Sequence, residues 1–593
     1  MRVGLLDHEP GLSAYIGEIL TSWGVTNSVS LSPERLAKLT PTSVAVLVLP
    51  AGAAADSIVS RSVLAYLQLG GTVLSLLPEG ALADALGIVC GPWREGPQRL
   101  RLSGEPMAGL AGESLPVVGP AATWVMPAPT SLPEAYLYPA ASAEDEGPGI
   151  VRASVGTGTL LGLAFDLPRA VLMLRQGDPA HREECGRGDE PARPTHLACA
   201  LGGPEPGWVP FADLLGRVLV ELVASLFPAP LPLSWHLPDG APGIILYSGD
   251  EDGAEVEWNR TQFDEVAAGG GRMNLYVIPG NTNSTPADVA AYRLNHDVGP
   301  HPNLRPLDGE PVRVRVEDMA RQIGEFEQRF STPARSLRNH CVAWAGYLEP
   351  VRAMAACGVR MEGNYFCSTF LYGRDYAPYA AFGAALPLRF CDPAGELLDV
   401  HQQHTHTMDD VYFGPEWVDY SYRIQPPQWE VILGRVLDDV VTRFHVPHAV
   451  CIHPSNWVRF SRNQGLALLR QAATRQLPVY SFDQWLDFWE RRLTWRCESL
   501  QCDHIDGSLR LSARFDGGTS GVAFVLPGTW RGRYLRRVDV SGGRSHGRRI
   551  RFGSDVEMIH VDGGEAMTFE AIYDTGRASP RPTSRTTGAG SRT

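Results

Sequence analysis

The sequence predicts a multidomain α/β protein ending in a β-sandwich, and three observations carry that prediction. Over roughly the first 80 residues, short apolar runs alternate with amphipathic segments, the pattern of parallel strands joined by helices. Between 243 and 490, apolar runs repeatedly end in carboxylates or histidines, as strands of an incomplete (β/α) barrel do at a ligand-binding rim. Past 490 the texture becomes strands of five to nine residues between Gly-rich turns, a sandwich signature.

Taken in order, "RVGLLD" is a short strand, "GLSAYIGEILTSWG" an amphipathic helix stopped at Gly24, and "VAVLVLP" a wholly apolar central strand. "SIVSRSVLAYLQLGG" and "TVLSLLP" add a helix and a further strand, which makes a doubly wound unit. Short strands and Pro-rich loops occupy Gly91 to Val151, and "RVLVELVASLF" is a closing helix. "PAPLPLSWHLPDGAP", Pro228 to Pro242, reads as a linker. Through "YLQLGGTVLSL" and "VGTGTLLGLAFD", residues 1–230 resemble the flavodoxin-like class I glutamine amidotransferase fold, in its inactive versions attached to carbohydrate enzymes. Active members carry a Cys nucleophile on the turn after a central strand. Here that turn is "LPAGAAAD", Leu49 to Asp56, without Cys, so a non-catalytic domain is expected.

The chemistry-bearing residues lie in the middle. "ILYSGDEDG" places Asp250, Glu251 and Asp252 after an apolar run, "NHDVGPHPNLRP" brings His296 and His301, and "RSLRNH" brings Arg338 and His340. "DVHQQHTHTMDD" follows with His401, His404, His406, Asp409 and Asp410, and "HAVCIHPSNW" ends an apolar run in His453. A barrel would gather such strand ends on one face.

This order resembles the metal-dependent polysaccharide deacetylase family over residues 243–490. That resemblance implies an Asp pair at an early strand end, a Gly-x-His motif about fifty residues on, and a late strand-end His. Asp252 and His301 lie 49 positions apart. It implies Asp250 as general base, Asp252 and His301 as metal ligands, and His453 as general acid. A second metal His usually stands four positions after the first, where this chain has Arg305, and a guanidinium cannot ligate a metal. Divergent relatives share the Gly-x-His-Pro-Asn wording and a later Arg-x-His, and this resemblance makes His340, in "RNH", the third expected ligand. The ion would be Zn²⁺, with Co²⁺, Ni²⁺ or Fe²⁺ as substitutes, and two imidazoles with one carboxylate leave positions open for water and substrate. Arg338, His404, His406, Asp409 and Trp344 are expected in the substrate cleft. For the His cluster an edge strand, and for Trp344 core packing, stand as alternatives.

Net charge is −14, which leaves no basic face for a nucleic acid. "MRVGLLDHEPGL" reads into an acidic loop rather than as a signal region, and no apolar run is long enough for a membrane span, so a cytoplasmic protein is expected. Ten Cys without CxxC spacing suggest reduced thiols. The expected activity is metal-dependent hydrolysis of an N-acyl or related C–N bond on a sugar or sugar-derived metabolite. Two rivals remain: a catalytically silent carbohydrate-binding scaffold, and a metal-free glycoside hydrolase using Glu255 and Glu362. The β-sandwich spans 491–575. Residues 576–593 lack apolar character and are expected to be a disordered tail.

Overall fold

The computed structural model describes residues 1–8, 11–103, 110, 113–127, 132–142, 145–183, 191–199, 207–304, 314–368, 379, 381–518 and 520–576. Arg305 and the tail from 577 onward lie outside the described residues.

The N-terminal region is built on a nine-stranded sheet. Five strands run parallel in the order Ser28–Leu31, Val3–Leu6, Val46–Leu49, Thr72–Leu76 and Gly158–Leu163. Four antiparallel strands extend it, Gly147–Val155, Leu132–Pro139, Gln98–Leu102 and Ser114–Val117. The central strand Val46–Leu49 is buried along its whole length, which is why it reads as an unbroken apolar run rather than an alternating one. It turns through Gly52, at φ +86°, into the helix Ser57–Gln68, whose first N–H groups are capped by Asp56.

In the middle region the fully buried strand Ile244–Asp250 pairs in parallel with Asn274–Val277 on one side and Pro447–Cys451 on the other. Asp297–Pro300 and Thr407–Met408 extend this sheet. A second sheet holds Ser336–Leu337, Met361–Glu362 and Leu397–Gln402 in parallel, with Leu388–Cys391 antiparallel at its edge. The two sheets meet where Gly299 passes the Ser336 carbonyl, so closely that a Cβ there would stand 2.6 Å from it. Parallel strands put their C-terminal ends on a common rim. Asp250, His301, Arg338 and Gly363 thus each stand at or just after a strand end, as do Asp409 and His453.

The C-terminal region has two antiparallel sheets. One runs Arg496–Ile505, Ser508–Asp516, Ala566–Asp574, Arg533–Ser541 and Thr529–Trp530. The other contains Ala523–Pro527, Ser554–Val561 and Gly543–Arg551. Phe515, from the first, packs on Phe524, from the second, at 4.3 Å between ring centroids. The segment expected to be a plain linker contributes a strand of its own, Leu233–Ser234, to the second sheet. Among the described residues no helix is long and apolar enough to cross a membrane.

Candidate metal and acid–base site

The acidic turn after Ile244–Asp250 divides into three different environments. Asp250, the last strand residue, is 4 % exposed, and its Oδ1 accepts from Arg338 Nη1 at 2.8 Å. Glu251 points the other way, where its carboxylate accepts from Asn259 at 2.9 Å and Ser284 at 2.7 Å. Its part is to hold the turn. Asp252 takes a left-handed backbone, φ +48°, ahead of Gly253 at φ +71°. That conformation, which Asp tolerates better than most residues, lets two carboxylates so close in sequence face the same space.

Asp252 Oδ1 lies 3.2 Å from His301 Nε2 and 3.1 Å from His340 Nδ1, and ligand atoms of the three residues all fall within 4.8 Å of one another. His301 Nδ1 donates to the Arg338 carbonyl at 2.7 Å. That bond fixes the ring with Nε2 turned towards the Asp252 carboxylate. Two imidazoles and one carboxylate converging in this way are the donor set that a divalent ion of the zinc type takes. Burial raises the Asp252 carboxyl, but His301 and His340 outweigh it and hold it well below the ordinary carboxylate range.

Two further groups face this set, each tied to a partner. Burial would raise the Asp250 carboxyl, yet Arg338, His301 and His453 bring it below its ordinary value. Its free Oδ2 stands 3.9 Å from His301 Nε2 and 4.0 Å from His453 Nε2. His453 Nδ1 donates to Asp409 Oδ1 at 2.6 Å, and its Nε2 lies 3.6 Å from Asp252 Oδ2. Burial disfavours the imidazolium, but Asp409, with Asp410 and Asp252, raises it well above the usual histidine value. Asp409 is itself fixed: its Oδ2 accepts from the His453 N–H at 3.1 Å and from Ser461 Oγ at 2.9 Å. Asp410 accepts from the Tyr420 hydroxyl at 3.0 Å.

The structure thus brings Asp250, Asp252, His301, His340 and His453 together. Most of the residues expected in a substrate cleft lie elsewhere. Arg338 is fully buried, and besides Asp250 it donates to Ser248 and Thr405 hydroxyls at 3.0 and 2.9 Å and to the Gly363 carbonyl at 3.0 Å. It orients a carboxylate and cannot reach a substrate. Trp344 is 1 % exposed and packs on Tyr365 and Phe390. His404 and His406 precede the strand Thr407–Met408 and so sit below the rim, fully buried. His404 Nε2 donates to the Arg175 carbonyl at 3.1 Å. His406 accepts from the Ala449 N–H and donates to the Ala384 carbonyl, both at 2.8 Å. Asp409 acts through His453 instead of lining a cleft. His296 stacks on Phe263 at 4.4 Å, also away from the ligand set. Ser461, Ser248, Thr405 and Tyr420 were not singled out by sequence reasoning, since no motif marks a hydroxyl that acts through a distant partner.

The glycosidase pair does not assemble. Glu362 is fully buried and accepts from the backbone and side chain of Asn364 at 2.7 and 3.0 Å, while Glu255 stands exposed at the start of the helix Val256–Ala268. Burial pushes the Glu362 carboxyl up to about 8, against an unfolded value of ~4.3. A raised carboxyl contributes stability that is complete below the unfolded value and is lost as pH rises through the folded one. Glu362→Gln removes that titration, so its melting temperature relative to wild type should climb between about pH 4.3 and pH 8. Thermal melts across that window check this, and parallel curves would contradict it.

No family model and no curated protein matches this chain. Among solved structures, one described as Agd3, a novel carbohydrate deacetylase, aligns over 96 % of this chain and 98 % of its own at 9 % identity and a TM-score of 0.39. A putative polysaccharide deacetylase from Mycobacterium smegmatis aligns over 44 % of this chain and 94 % of its own, at 13 % identity and TM-score 0.32. An exo-β-1,4-mannosidase from an Opitutaceae bacterium covers 28 % of this chain and 32 % of its own, at 12 % identity and TM-score 0.22.

Proposed function

We propose that the protein is a metal-dependent hydrolase that removes an acyl group from nitrogen on a sugar or sugar-derived substrate. The observation that carries this reading is the Asp252–His301–His340 donor set faced by a separately anchored carboxylate and imidazole. A divalent ion held there supplies an acidified water and a polarised acyl carbonyl. Asp250, kept ionised by Arg338, takes the proton of the attacking water as the new C–O bond forms. His453, kept protonated by Asp409, donates its Nε2 proton to the departing nitrogen as the C–N bond breaks. Two titratable groups pushed apart by their partners, one low and one high, are the expected division between base and acid. Exposed rings support a sugar: Trp417 is 68 % and Tyr420 40 % exposed on the segment whose Tyr420 hydroxyl meets Asp410, and such rings stack on sugar faces.

Metal analysis of freshly purified protein tests the reading. Wild type is expected to hold about one equivalent of a divalent transition metal and His301→Ala almost none, with acetate release from N-acetylated sugars lost in parallel. A wild-type protein empty after metal-supplemented expression would favour the silent-scaffold reading.

A further inference from the structure

A cavity of about 260 Å³ opens between the helix Phe211–Leu226, the segment around Trp235 and the tip of the hairpin Gly543–Arg551/Ser554–Val561. Its charge is unbalanced. Arg217 is 4 % exposed; its Nε and Nη2 go to Glu221 at 3.3 and 3.2 Å, and its buried Nη1 has no partner. Arg551 donates to the Gly240 and Ile550 carbonyls, both at 2.9 Å, pairs with no carboxylate among the described residues, and has a buried, unpartnered Nε. Arg492, which donates to the carbonyls of Ser234 and Trp235 in the cavity wall, is likewise buried, with an unpartnered Nη1 and no acidic partner among the described residues. The two guanidiniums of the lining thus share one paired carboxylate, because the other acid of the lining, Asp555, is taken by Arg548 at 3.0 Å. Buried cations without counter-charge are costly, and burial lowers Arg551 to about 10 and Arg492 to about 9.

The hairpin tip adds an independent sign of a built site. Phe552 and Gly553 form its two-residue turn at φ +51° and +72°, a geometry that suits Asn-Gly and costs a bulky residue about 1–2 kcal/mol. The strain is held by packing: the Phe552 ring lies under the Arg217 guanidinium at 3.7 Å and against His445 at 4.8 Å. That wedge keeps Arg551 turned inward over Trp235, at 5.4 Å from its ring.

We propose that this cavity binds a monosaccharide-sized organic anion, its carboxylate or phosphate taken by Arg217 and Arg551 and its body resting on Trp530. The volume is near the lower end for small-molecule sites, about 300 Å³, and exposed Thr529 and Ser554 stand at its edge. The site is separate from the metal and acid–base centre and does not depend on the reading of that centre.

Isothermal titration and thermal melting of the full-length protein with D-glucuronate, glucose 6-phosphate and neutral methyl glucoside test it. At least one anion should bind saturably with a Kd of about 1 mM or tighter and raise the melting temperature, while methyl glucoside does neither. Arg551→Gln, which changes a half-buried side chain on a surface hairpin, should weaken that binding at least about tenfold and still melt cooperatively; Arg217→Met is the second variant. Binding of glucuronate alone identifies a carboxylate site, glucose 6-phosphate alone a phosphate site, and both a general oxyanion site. Failure of both anions, equal binding of methyl glucoside, or undiminished binding by Arg551→Gln overturns the proposal.

Discussion

Asp250→Asn is expected to lower kcat by about 10²–10⁴ while leaving metal content close to wild type. The substitution keeps an amide oxygen where Oδ1 accepts from Arg338, so the strand end and its buried partner stay in place. It replaces Oδ2, the oxygen 3.9 and 4.0 Å from the His301 and His453 Nε2 atoms, with an NH₂ group that cannot accept a proton. Asp252→Ala is the control, because Asp252 Oδ1 is the atom common to both imidazole contacts, and its loss should empty the metal site. Single-turnover rates, metal content and melting temperature measured on the same preparations separate the two roles. If Asp250→Asn lost activity only in proportion to lost metal, Asp250 would be a ligand and the proton acceptor would have to be sought elsewhere.

How far this site can be read from sequence depends on which physical signal each residue carries. A group at the end of a buried parallel strand announces itself, because the apolar run before it is unbroken and its C-terminal end is where the barrel opens. Asp250 and His453 follow that rule; His301 follows the short strand Asp297–Pro300 with no apolar run before it, and His340 comes three residues after Leu337 ends its strand. Depth is not encoded in the same way. His404 and His406 share a strand face by parity, but parity does not tell whether they precede or follow the rim. They precede it, and burial converts them into donors for backbone carbonyls. Partnership is still less legible. Asp409 and His453 are 44 residues apart and meet only because Thr407–Met408 pairs with Pro447–Cys451. The doubly wound alternation at the N-terminus and the Gly-punctuated strands at the C-terminus leave periodic marks. The strand Leu233–Ser234 does not, since two residues in a Pro-rich stretch have no period.

Arg338→Met should destabilise the protein by about 3–5 kcal/mol, the usual cost of removing one member of a buried ion pair. Arg338 is fully buried and Asp250 nearly so, so the variant leaves a buried carboxylate without its cation. It also takes the donors from Ser248, Thr405 and Gly363, and the cation from beside the Tyr276 ring at 5.2 Å. Methionine preserves much of the volume, which separates charge from packing. Asp250→Asn alone should cost much less, because Arg338 keeps its three other acceptors and an amide oxygen. The informative protein is the double variant. With Asp250 neutral there is no stranded charge, so Arg338→Met/Asp250→Asn should be more stable than Arg338→Met by about 1–3 kcal/mol in urea unfolding. Strict additivity would mean that Arg338 stabilises through its hydroxyl and carbonyl contacts instead of through Asp250. In the first case the guanidinium exists to keep a base ionised in a buried place; in the second the ionised base would need another explanation, and wild-type Asp250 would titrate upward on burial as an isolated carboxyl does.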